Sequence, residues 1–181
     1  MKFNYQLTEP DILTHQLYIL SQSKSFQKRR AKGRMFILLM YMIIGMFMWQ
    51  RNGPVTAALF YVICLPLYFL YRRMENRQYQ KHIANYVRDQ YKDSLKDEYT
   101  LEWDERDVSS SSGDNIHKMP WLELESIVEL SPLFILNFRN TNALIIPKRD
   151  PLLQDVIRTD LKAKAETLGV NFDDKVKWKW G

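Results

Sequence analysis

The chain has 181 residues and a formal net charge of +5, and its apolar content of 46% coexists with a mean hydropathy of −0.37, which requires the apolar residues to be segregated into blocks. A single cysteine, Cys64, excludes an intrachain disulfide framework, and the absence of a Gly-rich phosphate loop excludes the common nucleotide cradles. The polar opening MKFNYQLTEPDIL has no apolar core of the kind a cleavable signal peptide needs, so the apolar blocks have to serve as their own insertion signals.

Phe3, Tyr5 and Leu7 alternate with Lys2, Asn4 and Gln6, the pattern of a half-buried strand. Thr8 with Asp11 predicts a helix start, and Ile12, Leu13, Leu17 and Leu20 give that helix an apolar face. Beyond Ser21 the run SKSFQKRRAKGR turns basic, and a helix is expected to continue through it towards the first apolar block. Residues 1–34 therefore read as an N-terminal strand and a basic amphipathic helix.

Met35–Trp49 carries no charge, and a helix of this length rises roughly 22 Å, short of the ~30 Å hydrocarbon core of a bilayer. Arg34, Arg51 and Trp49 suit the two interfaces that would make up the difference. Pro54–Tyr71 rises roughly 27 Å, close to a full span. Pro66 is tolerated within membrane helices. The connector Gln50-Arg51-Asn52-Gly53 ends in a turn signal followed by Pro54, so residues 35–71 read as a two-helix transmembrane hairpin. Gly45, Ala57 and Ala58 are small enough to let the two backbones approach. Lys24, Lys28, Arg29, Arg30, Lys32 and Arg34 precede the first block, and Arg72, Arg73 and Arg77 follow the second, whereas the connector holds Arg51 alone. The positive-inside rule then places both termini in the cytosol. Neither block contains Asp, Glu, Lys, Arg or His, which argues against a pump or a proton-coupled transporter.

Over residues 72–98 the helical period continues in Tyr79, Ile83, Tyr86, Val87, Tyr91 and Leu95, so a cytosolic helix is expected to extend the second span to about Leu95. From Tyr99 the period changes to that of strands, in YTLEWDE, Val108–Ser112, Ile116–Met119, WLELESIVEL, LFILNF and ALIIP. Gly113-Asp114 and Asn140-Thr141-Asn142 are turn signals. Asp150-Pro151 starts a last helix, which Gly169 stops. Residues 99–181 thus predict an α+β module, an antiparallel curved sheet or partial barrel closed by a C-terminal helix. In the tail, Val176, Trp178 and Trp180 alternate with Lys175, Lys177 and Lys179, which fits either a late edge strand or an interfacial Trp/Lys segment.

Four stretches in this order, FNYQLTEPDIL, SQSKSFQKRRAKGR leading into the hairpin, MPWLELESIVEL and ALIIPKRD, resemble the YcxB-like bacterial membrane proteins. The resemblance spans nearly the whole chain and implies a C-terminal module similar to the pleckstrin-homology (PH) superfold, held at a bacterial cytoplasmic (inner) membrane. It implies no activity. The chain departs from the family pattern after Arg149, where Asp150-Pro151 stands in place of an aromatic or small residue.

No catalytic constellation is legible. His15, His82 and His117 follow no metal-ligand spacing, and Ser109–Ser112 lacks a nucleophile elbow. No cofactor or metal is expected, and the chain reads as non-enzymatic. Lys28, Arg29 and Arg30, beside the first span, read first as a topogenic charge cluster, and Lys148 and Arg149, at a strand end, as a terminator with solvated charges; all five are also candidate contacts for anionic headgroups. Trp121 reads first as a core aromatic, with a place on an interaction surface as its alternative. The expected partners are the lipid bilayer and a protein at the cytosolic face, with a second copy of the chain as a further candidate and nucleic acid excluded. The leading reading is a multi-pass membrane protein displaying a PH-like interaction module at the cytosolic surface; the alternative is a membrane-embedded immunity protein that neutralises a membrane-acting toxin.

Overall fold

Local sequence signals set the helix ends. In the computed structural model, which describes residues 1–181 except 93, 94, 96, 114, 141 and 181 and the side chain of residue 152, helix α1 spans Glu9–Gln22. At its start the Thr8 N–H donates to the Asp11 carboxylate at 2.9 Å, the return half of a capping box. Helix α2, Lys24–Asn52, begins separately, because the Ser23 side chain accepts the Phe26 N–H as an N-cap. The single helix expected from Thr8 into the membrane is therefore broken at Ser23. Helix α3 runs from Pro54 to Gln90 with Pro66 inside it, ending before the predicted Leu95. Asp114 and Thr141, placed in turns by the sequence, lie outside the described residues.

The chain divides into two compact units. One is Leu17–Ile83 with Trp180, the other Met1–Gln16 with Ala84–Lys179. Within the first, α2 and α3 are antiparallel neighbours. Phe26 meets Tyr79, Arg30 and Arg34 meet Glu75, and Tyr41 meets Phe60, so residue numbers fall on one helix as they rise on the other. The connector is shorter than predicted: Gln50–Asn52 stay helical and Gly53 alone joins the helices at φ +86, a conformation that favours glycine. Gly45, Ala57 and Cys64 are buried in the helix–helix seam, whereas Ala58 points outward and plays no part in it.

Both helices are long and apolar enough to cross a membrane. Their apolar stretches are only 6% and 11% buried, so neither is the core helix of this chain. Phe36, Phe47, Val55, Val62 and Phe69 are each at least 60% exposed. Each side chain of this size carries about 1.5–3 kcal/mol of transfer free energy that water would not return.

In the second unit, strands β1 (Lys2–Gln6), β2 (Glu98–Trp103), β3 (Asp107–Ser112) and β4 (Asn115–Pro120) form an antiparallel sheet in that order. A 3₁₀ turn at Trp121–Glu123 leads to the second sheet, β5 (Leu124–Glu129), β6 (Leu133–Phe138), β7 (Ala143–Pro147) and β8 (Asn171–Asp174), in the order β7-β6-β5-β8. Helix α4, Pro151–Leu168, buries Ile157, Leu161 and Ala165 in the same core as Leu101, Trp103, Phe134 and Leu136. It stops in a Schellman arrangement, with Val170 N–H on the Ala165 carbonyl and Gly169 N–H on that of Glu166.

Three expectations change. The N-terminal strand does not stand with the basic helix; it pairs with β2 from Lys2↔Glu102 to Gln6↔Glu98, so the hairpin is inserted within the sheet unit's sequence. The second sheet is mixed, because β8 runs parallel to β5. The late strand is Asn171–Asp174, and the alternating Lys/Trp tail after it is not a strand.

Candidate functional site

The richest grouping of charged and aromatic side chains lies at the base of the helical hairpin. Arg30 and Arg34 stand one turn apart on α2, and Glu75 on α3 lies between them. One Glu75 oxygen accepts from Arg30 Nε at 3.4 Å and the other from Arg34 Nε at 2.9 Å. The Glu75 side chain is only 10% exposed. Arg30 also donates to the Asn76 side chain. Its guanidinium lies 5.7 Å from the Phe26 ring centre, 5.5 Å from Tyr79 and 5.3 Å from Trp180, a three-ring cation–π setting. The Trp180 indole N–H donates to the Asn76 carbonyl at 3.3 Å. The Arg34 Nη2 is buried with no hydrogen-bond partner.

The predicted contacts separate by environment. Lys28 and Arg29 are exposed, while the Arg30 side chain is only 10% exposed in the aromatic setting and is no headgroup contact. Lys148 is not at the surface: its side chain is 5% exposed and its Nζ donates to Glu129 at 2.7 Å, 4.4 Å from the Phe134 ring centre. It is thus an internal cation of the sheet unit and no headgroup contact. The other Glu129 oxygen accepts from Arg158, which also reaches Asp174 at 3.1 Å. Arg149 is half-exposed and engages Asp11 and the Thr8 hydroxyl. Trp121 is 2% exposed and donates its indole N–H to the Asp104 carbonyl at 3.0 Å, which makes it a core residue, the favoured of its two readings, and rules out the interaction-surface alternative. Its neighbour Leu122 is 80% exposed.

The sheet unit has a cleft of about 290 Å³ lined by Tyr5, Tyr99, Ser110, His117, Met119 and Leu144. Burial pushes the Tyr5 phenol well above its ordinary range, against the opposing hydrogen bond with Ser110. At the β2–β3 turn, backbone N–H groups of Asp107 and Arg106 hold the Asp104 carboxyl below its usual range, and the Asp107 carboxylate raises Lys118. In α1, burial lowers the His15 imidazole to about 4. Among the described residues, no group of three or more His, Cys, Asp or Glu is placed to hold a metal ion.

Two buried carboxylates that organise these charge groupings escape the sequence. Glu75 is the only carboxylate between Leu17 and Ile83, and that isolation among cations was the available signal. Glu129 sits inside the apolar run SIVEL, where a charge calls for a buried partner. No protein-family model, curated protein or solved structure matches this chain.

Proposed function

We propose that this chain is a non-enzymatic, multi-pass protein of the YcxB-like kind that anchors a PH-like interaction module at the cytosolic face of a bacterial inner membrane. The observation that carries the reading is the outward face of α2 and α3. It is uncharged from Met35 to Gln50 and from Gly53 to Tyr71, and its large apolar side chains are left uncovered. A bilayer supplies the missing apolar surroundings, and an antiparallel hairpin satisfies its own backbone hydrogen bonds there. Charge sets the orientation: the base carries the Lys and Arg clusters and the tip carries Arg51 alone. Two four-stranded sheets sharing one core with a C-terminal helix support the PH-like reading, with β1 supplied from before the hairpin and β8 added parallel. A tethered module meets surface partners at high effective concentration, which is the use such an anchor offers.

Alkaline carbonate extraction of membranes containing the full chain tests the anchor: the chain is expected in the pellet, and release to the supernatant refutes it. Orientation is tested in a Cys64→Ser background. Arg51→Cys is expected to react with a membrane-impermeant maleimide from outside the cell and Lys28→Cys only after lysis; the reverse pattern inverts the topology.

A further inference from the structure

We infer that the base of the hairpin is a two-sided cationic collar that binds the phosphate of anionic phospholipids. This rests on the membrane-spanning reading and assigns that anchor a lipid class. The carrying observation is a sorting of charge. The antiparallel register that sets Arg30 against Glu75 and Asn76, and Phe26 against Tyr79, brings Lys28 level with Arg77 and Lys32 level with Arg73. Lys28, Arg29 and Lys32 on α2 and Arg72, Arg73 and Arg77 on α3 are all exposed. Glu75, the single carboxylate between Leu17 and Ile83, is turned inward, with both oxygens taken by Arg30 and Arg34. No acidic side chain of the hairpin is left to neutralise the six outward cations.

Glu75 and the aromatic setting of Arg30 are positioning groups. They join the two helices at this level and fix the spacing of the collar's two arms without meeting the ligand. The outer guanidinium groups offer paired N–H donors that match phosphate oxygens, and the lysines add point charge. At the other end of the hairpin Arg51 stands alone, so the preference belongs to one leaflet. A free phosphate could satisfy the same donors. The position of the collar, directly flanking the uncharged stretches at Met35 and Tyr71, favours the lipid headgroup.

The full chain in neutral detergent, titrated with phosphatidylglycerol, phosphatidylcholine or inorganic phosphate and read by native mass spectrometry, tests the assignment. Phosphatidylglycerol is expected to be retained at least tenfold more tightly than phosphatidylcholine, and that preference is expected to fall with added salt. The sixfold variant Lys28→Ala/Arg29→Ala/Lys32→Ala/Arg72→Ala/Arg73→Ala/Arg77→Ala is expected to lose the preference, and Arg51→Ala to keep it. Equal retention of the two lipids by the wild-type chain overturns the collar, as does an unchanged preference in the sixfold variant. Displacement of phosphatidylglycerol by millimolar inorganic phosphate overturns the lipid assignment. The wild-type comparison requires no variant to fold, and equal retention by a chain that still pellets after carbonate extraction sinks the collar while leaving the anchor standing.

Discussion

The Tyr61 ring on α3 fills the space above Gly45 on α2, so that a Cβ at position 45 would collide with its Oη, Cζ and Cε1 atoms. The phenol also reaches the Met42 carbonyl at 3.5 Å. Gly45→Ala is therefore expected to drive the ring out of the seam at a cost of about 1–3 kcal/mol, the usual range for overpacking. Thermal unfolding of the full chain in detergent should show a Tm lower by roughly 2–12 °C for a chain of this size. Tyr61→Ala removes the obstacle, so adding Gly45→Ala to it should cost nothing further. A full penalty in the double variant would locate the strain elsewhere.

Glu129 and Lys148 form a buried pair at 4% and 5% side-chain exposure, with Arg158 on the second carboxylate oxygen. Breaking such a pair from one side leaves a charge without its partner inside the protein. Glu129→Ala is expected to destabilise the sheet unit by about 3–5 kcal/mol. Glu129→Leu with Lys148→Met removes both charges and should recover much of that loss. Unfolding followed by tryptophan fluorescence reads both, because Trp103 and Trp121 lie in the same core.

Short-range interactions leave a trace in this sequence and long-range ones do not. The hairpin, the Thr8–Asp11 start and the Gly169 stop are local in sequence and were legible there. The strands β2, β3, β6 and β7 were legible from alternation and turn residues. The turn signal at Gly113 marks the β3–β4 pairing, but the distant pairings are not legible, because β1 joins β2 across the whole hairpin and β8 joins β5 in parallel, and neither leaves a local trace. Lys148 looks solvated in PKRD because its partner Glu129 lies on another strand. The charge of Arg30 is visible in the sequence, but its aromatic surroundings come from Phe26, Tyr79 and Trp180, which only folding brings together.

Trp121 and Leu122 show the same limit within one dipeptide. The 3₁₀ turn faces Trp121 into the core, edge-on to Trp103 at 6.5 Å between ring centres, and leaves Leu122 outside. Trp121→Ala is expected to cost about 3–5 kcal/mol as a large core deletion. Leu122→Ser should stay within about 0.5 kcal/mol of wild type, as surface changes do. Denaturation midpoints of the two variants provide the check, and similar losses in both would mean that Leu122 is buried in solution as deeply as Trp121.

His15 makes stability depend on pH in a defined direction. It is buried on α1, its Nε2 has no hydrogen-bond partner, and burial lowers its pKa to about 4 from an ordinary 6.5. A group whose folded pKa is depressed binds its proton more readily when unfolded, so acid favours unfolding. The contribution is complete above pH 6.5 and drains away as pH falls from about 6.5 to about 4. Converted through linkage, the full difference is about 3 kcal/mol. His15→Leu keeps comparable bulk and has no proton to bind. Subtracting its pH–stability profile from that of the wild-type chain cancels the carboxylates common to both. The difference should decline through that window and flatten below it. A flat difference from pH 7 to pH 4 would mean that the imidazole protonates in place and that α1 admits water at this position.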